Sequence, residues 1–206
     1  MEPLSSIEAF NVDCLRGGRM VFRGLSLRAE SGRALSLEGP NGAGKSSLLR
    51  MLAGLLAPAA GDISFETARG AVGEAEERGR LVGLLAHQDA VKPQLTPRET
   101  LDFHARLYGV AACAPVLLER VGLKRQAELP CQYLSAGQKR RLALARLVLS
   151  ARPLWLLDEP LAALDAQGKD LLRAMIATHC AAGGIVVAAT HDPLGVDCAR
   201  LALGAA

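Results

Sequence analysis

The apolar positions of the chain follow two rhythms that alternate along its length. Short apolar runs read as strands over residues 7–12, 21–28, 34–37 and 63–65. Residues 45–53 read as a helix closed by Gly54, and 67–80, rich in Gly, Glu and Arg, read as an exposed loop. The uninterrupted apolar run 81–86 has the length of a buried strand. Thr96, Pro97 and Glu99 form a helix start signal. Helical patterns continue through 115–121 and again after Gly137, with no clear strand between. The strand–helix alternation then returns: 154–157 is a strand running into Asp158-Glu159, 166–180 a helix, and 183–190 a strand ending at His191.

Strands alternating with helices predict an α/β fold with a mainly parallel core sheet. The helical stretch, from about 88 to 150, reads as a subdomain inserted in that core, so that residues 1–206 form one domain. Half of the residues are hydrophobic and only 3% aromatic, so the core is built from Leu, Ala and Val. The net charge of +3 admits an anionic ligand but lacks the strong basic bias of a nucleic-acid-binding domain. The five cysteines are widely spaced with no CxxC pair, which removes zinc-ribbon, thioredoxin-like and CxxCH haem-attachment readings and leaves free thiols. The opening MEPLSSIEAF is not a signal peptide. No run of about 18 uncharged apolar residues spans a membrane, since the nearest, 142–157, contains Arg146, Arg152 and Pro153. Any membrane association is therefore expected to come through a partner.

The chemistry starts at 39–47, Gly-Pro-Asn-Gly-Ala-Gly-Lys-Ser-Ser, which fits GxxxxGK[ST] between a strand and a helix. In such a loop the backbone N–H groups of Gly39, Pro40-Asn41, Gly42, Ala43 and Gly44 wrap around phosphate (Pro40 itself lacking the donor), and the helix N-terminus adds positive potential. Lys45 is expected to reach the β and γ phosphates and Ser46 to ligate Mg²⁺, with Ser47 counted among the nucleotide-binding residues. Downstream, the apolar strand ends in two carboxylates. Asp158 is placed for the Mg²⁺ shell, and Glu159 lies beside the γ-phosphate, where it can polarise an attacking water. Residue patterns alone thus predict a Mg-ATP or Mg-GTP hydrolase. No NKxD base reader supports GTP, and a small-molecule kinase would not explain Leu-Ser-Ala-Gly-Gln at 134–138.

That segment carries a resemblance. With the P-loop, Gln88, 134–138, 154–158, Glu159, 163–165 and His191 in order, nearly the whole chain resembles an ABC-type ATPase domain. The resemblance implies a P-loop NTPase, with a RecA-like core sheet, an antiparallel N-terminal β subdomain and the inserted helices. It implies a head-to-tail pair of two copies sandwiching two ATP. In that pair Ser135, Gly137 and Gln138 act on the γ-phosphate held by the other copy, and Asp165 lies in the loop at the shared face. Gln88 senses Mg²⁺ and the attacking water and couples the site to a transmembrane partner. His191 contacts the γ-phosphate. Three positions depart from the family pattern: Ala136 stands for Gly, Ala162 for Ser or Thr, and Arg16 for the aromatic that stacks on adenine. A guanidinium can also stack on a planar base.

Within that family, RGGR, EGPNGAGK, LTPRETLDFH, LSAGQKRRLALARL and GGIVVAATHDPL together resemble the ATPase subunits of cytochrome c maturation complexes. This implies a peripheral location at the cytoplasmic face of a bacterial inner membrane, with permease subunits of B, C and D types. ATP hydrolysis would there drive haem export or release of a haem-loaded chaperone. The ATPase of a lipid or drug exporter, and a soluble ABC protein acting on nucleic acid or ribosomes, are the alternatives. His87, His104 and His179 read as surface or packing residues, so the chain itself is expected to bind neither haem nor nucleic acid. Lys139, Arg140 and Arg141 read as part of the helix after Gly137, some solvated and some bracing the dimer face.

Overall fold

A computed structural model describes residues 3–73 and 75–204; residues 1, 2, 74, 205 and 206 lie outside it, as do those parts of the leader and loop readings above. Among the described residues, four strands form an antiparallel sheet: β1 (Leu4–Arg16), β2 (Arg19–Glu30), β4 (Ala60–Thr67) and β5 (Gly70–Ala71), in the order β2-β1-β4-β5. Five others form a parallel sheet: β3 (Ala34–Glu38), β6 (Val82–Leu85), β7 (Leu154–Asp158), β8 (Ile185–Ala189) and β9 (Cys198–Ala202), in the order β6-β7-β8-β3-β9. The helices are α1 (Lys45–Leu52), α2 (Ala75–Leu81), α3 (Pro97–Tyr108), α4 (Ala114–Arg120), α5 (Ala136–Leu149) and α6 (Ala166–Ala181).

The two-residue period of β7 and β8 divides the core. Trp155, Leu157, Val186 and Ala188 face one cluster, built with α3 to α6. Leu154, Leu156, Ile185, Val187 and Ala189 face the other, built with α1 and the antiparallel sheet. A strand buried on both faces needs apolar residues at every position, which is why these runs do not alternate in polarity. Among the described residues no helix is long and apolar enough to cross a membrane.

Two elements differ from the sequence reading. The stretch 67–80 is not simply an exposed loop: it forms the β4–β5 hairpin end and α2. Its sequence carries no apolar stripe to announce a helix. Arg78 instead ties α2 down through polar contacts, donating to the carbonyls of Ile63, Val72 and Gly73. Strand β9, not anticipated, is a short edge strand that among the described residues pairs only with β3. The apolar run read as a strand over 81–86 is strand only at Val82–Leu85, Leu81 closing α2. The start signal at 96–99 operates as written: Thr96 and Glu99 form a reciprocal capping box at the start of α3.

The histidines called packing residues are of that kind. His179 stacks on Trp155 with ring centroids 3.9 Å apart and planes 9° from parallel, its Nε2 3.1 Å from the Pro153 carbonyl oxygen. Burial holds His179 below its ordinary value, partly offset by carbonyl contacts of Pro153 and Ile185. Burial likewise lowers His104, whose Nδ1 meets the Thr100 carbonyl. A histidine depressed in the fold takes up its proton more readily when unfolded. Stability is therefore full above about pH 6.5 and falls as pH drops from there toward the lower folded values. The melting temperature is expected to decline between about pH 7 and pH 5.5, less steeply in His179→Phe; a rise on acidification would contradict the assignment.

Candidate active site

Four adjacent strands of the parallel sheet end at the same edge, and the sequence places a chemically competent segment after each. The loop 39–44 follows β3, Asp158 ends β7 with Glu159 next, His191 lies two residues beyond β8, and Gln88 three beyond β6. Ligands of open α/β sheets bind outside the carboxyl ends of the strands.

The loop is shaped by close packing. Gly44 is left-handed, at φ 99°, and a Cβ there would meet Val21 Cγ1 at 2.7 Å and the Phe22 ring at 2.8 Å. Only glycine satisfies both constraints. Helix α1 then begins with no side-chain cap and no acidic residue in its first turn, whereas α3, α5 and α6 are capped by Thr96, Ser135 and Asp165. The first N–H groups of α1 thus remain open to an anion. Lys45 is buried, and its Nζ donates to the carbonyls of Gly39 at 2.5 Å and Pro40 at 3.1 Å, crossing the loop mouth. An ammonium carries three donors, so one remains. Ser46 Oγ donates to Asp158 Oδ1 at 3.0 Å, joining the loop to the end of β7.

Glu159 is half-buried and left-handed, at φ 43°; Ala163 is exposed and also left-handed, at φ 61°. Two non-glycine residues in this region within five positions mark a turn that its surroundings over-determine. The Glu159 N–H donates to the Ala189 carbonyl at 2.9 Å, which ties the turn to β8 beside His191. Gln88, His191 and Arg16 are exposed, Arg16 at the tip of the β1–β2 hairpin whose Val21 and Phe22 pack on Gly44.

The segment 134–138 forms a second helix start, the N-terminus of α5, separate from the loop 39–44. Ser135 Oγ accepts from the Gln138 N–H, and Gln138 Oε1 accepts from the Ser135 N–H. This box uses acceptors only, so the Ser135 hydroxyl proton and the Gln138 amide hydrogens keep their donor capacity. A Cβ on Gly137 would lie 2.9 Å from the Ala163 carbonyl oxygen, so the two loops touch backbone to backbone. Asp165 caps α6 through Gly168 and accepts from Arg141 at 2.6 Å. The Arg141 contact foremost, then the Gly168 N–H, hold the Asp165 carboxyl below the usual range.

The Lys139–Arg141 reading needs correction. Arg140 neither faces solvent nor braces an outer face: it is buried inside the protomer, with partners in the loops after β6 and β7. Arg141 is turned to Val121 and Asp165. Three adjacent cations give no sign of this; only the four- and seven-residue spacing to Leu144 and Leu147 hints that position 140 is inward.

The family model described as ABC transporter matches residues 22–162. Among curated relatives, the cytochrome c biogenesis ATP-binding export protein CcmA of Rhodopseudomonas palustris (strain BisB5) is 50% identical over 94% of this chain and 95% of its own. The protein of the same name from Nitrobacter winogradskyi is 50% identical over the same shares, and that of Hyphomonas neptunium 46% over 92% and 91%. Among solved structures, a putative ABC transporter ATP-binding protein from Pyrococcus furiosus superposes with a TM-score of 0.81 at 20% identity, over 97% of this chain and 98% of that one.

Proposed function

The chain belongs to the ABC transporter ATPase family, and from that premise we propose that it is the ATP-hydrolysing subunit of a cytochrome c maturation complex, driving haem export or release of a haem-loaded chaperone. The observation that carries this reading is the near-full-length identity of about half to export proteins of that name. The phosphate loop after β3 and the carboxylates Asp158 and Glu159 at the end of β7, with β8 between the two strands, are joined by the Ser46–Asp158 hydrogen bond, and this arrangement supports the chemistry.

ATP is the substrate. Its β and γ phosphates are held by the N–H groups of 39–47 and by the remaining donor of Lys45. The Arg16 guanidinium stacks on the base from the hairpin side. Ser46 and Asp158 offer hard oxygen donors 3.0 Å apart, which fits Mg²⁺, a cation that takes few protein ligands beside phosphate and water. When bound, the ion supplies positive charge to the β and γ oxygens. Glu159 accepts a proton from the water that attacks the γ-phosphorus, while the bond to the bridging oxygen breaks and ADP leaves. Gln88 and His191 reach in from the flanking strand ends and orient that water, Gln88 also meeting the Mg²⁺ shell. Ser135, Gly137 and Gln138 of a second, head-to-tail copy close over the γ-phosphate, with Asp165 beside that face.

The permease partners are of B, C and D types, and the chain sits peripherally at the cytoplasmic face of the inner membrane. It binds neither haem nor nucleic acid itself. Purified with its native membrane partners, the complex is expected to contain such subunits and to show haem absorbance, while the isolated chain shows none. Co-purification with a lipid or drug permease instead would overturn the assignment.

A further inference from the structure

Arg140 stands in the second turn of α5 and is 3% exposed. A buried cation is tolerated only when paired and fully hydrogen-bonded, and Arg140 meets that condition at every donor. Nε–H faces the Pro160 carbonyl at 3.3 Å. Nη1 donates to the Ala86 carbonyl at 2.9 Å and to Asp89 Oδ1 at 2.8 Å. Nη2 donates to the carbonyls of Asp158 at 2.9 Å and Glu159 at 2.6 Å.

Three consecutive carbonyls, 158 to 160, therefore turn toward one guanidinium. In an extended strand successive carbonyls point to opposite sides. The chain must leave strand geometry where they converge, and it does so at Glu159, whose φ is 43°. On its other side the Glu159 N–H is held by Ala189. With both peptide groups anchored, the Glu159 carboxylate is left only its side-chain torsions.

The same guanidinium reaches the loop that carries Gln88. It grips Ala86 and Asp89, and Arg146, farther along α5, donates to the carbonyls of Asp89 and Ala90. Ala90 is itself left-handed, at φ 47°. Gln88 thus lies between two clamps from one helix, the helix that Ser135 opens.

We propose that Arg140 is a positioning residue that holds the Glu159 turn in its left-handed form and ties it, through Asp89, to the Gln88 loop. The inference rests on the assignment of Glu159 as the base. Displacement of the Gln88 loop by a partner pulls on Asp89 and so on the carbonyl that sets Glu159. Lysine does not replace this arrangement, because a single ammonium has three donors on one atom and cannot span acceptors arranged around a planar fork.

The test uses the full chain in its membrane complex, comparing Arg140→Lys, Arg140→Gln and Asp89→Asn with the parent. Arg140→Lys and Arg140→Gln are expected to lose kcat by about thirtyfold or more, with KM for ATP and the Kd of a fluorescent ATP analogue within about threefold. Asp89→Asn, which leaves the guanidinium its carbonyl partners, is expected to lose about fivefold in kcat with the same unchanged affinity. Adding Arg140→Lys to Glu159→Gln is expected to slow turnover by less than about twofold, because misplacing an absent base costs nothing further. A merely structural role would not produce that non-additivity. The proposal is overturned if folded Arg140→Lys keeps kcat within about threefold of the parent, or if affinity falls in step with kcat. Should the Arg140 variants not fold, Asp89→Asn decides, and an unchanged kcat there overturns it. Rapid hydrolysis by Glu159→Gln would remove the underlying assignment of the base, whereas a slow Glu159→Gln beside a fast Arg140→Lys removes this inference alone.

Discussion

Glu159→Gln is expected to bind ATP as tightly as the parent chain and to hydrolyse it about a thousandfold more slowly. The two halves of that expectation come from different parts of the site. In the proposed site, affinity is assigned to the loop 39–44, the uncapped N-terminus of α1 and Lys45, none of which the substitution touches. The backbone of residue 159 is held by Ala189 and Arg140 through main-chain atoms, so an amide of the same shape takes up the same position. Only the ability to accept a proton from water is lost. If two copies close over ATP as proposed and part on product formation, the variant is also expected to accumulate as a dimer in the presence of ATP. Single-turnover hydrolysis with a parallel binding measurement checks both halves, and a variant hydrolysing near the parent rate would remove Glu159 as the base.

Much of this arrangement is legible in the sequence because it rests on local rules. The glycine-rich loop needs a strand before it and a helix after it, and β3 and α1 supply both. The carboxylates at 158 and 159 end a strand that is apolar at each of its other positions, and β7 is that strand. What escapes the sequence is held by long-range polar contacts. Arg140 bonds across separations of 18 to 54 residues, and its meaning lies in three backbone carbonyls that no residue pattern encodes. Helix α2 is hidden for a related reason: Arg78 fastens it to carbonyls, and its buried end, Leu81, reads as part of the apolar run that follows. Among the described residues strand β9 has one neighbouring strand and little burial, so its residues carry a weak periodic signal. It nonetheless matters to the site, since its end brings the Leu203 N–H to the Glu38 carbonyl, one residue before the phosphate loop.

The second large effect concerns which molecule completes the site. Ser135 is exposed and Gln138 half-buried, and among the described residues their side chains accept from each other's backbone N–H rather than meeting 39–47. If they serve the phosphate of a second copy, two defects that each abolish activity must compensate when mixed. Lys45→Ala removes the buried cation of the phosphate loop; Ser135→Arg places a long side chain where the two copies meet. Each variant alone is expected to be inactive, because every site in either homodimer is damaged. In a mixed dimer one site receives both defects and the other receives neither. Random pairing of equal amounts makes half of the dimers mixed, so about a quarter of the sites are intact and about a quarter of parent activity is expected. If the phosphate loop and residues 135–138 instead served one site within a single chain, every site in the mixture would still carry a defect. Mixing would then restore nothing, and ATPase activity measured as a function of the mixing ratio separates the two outcomes.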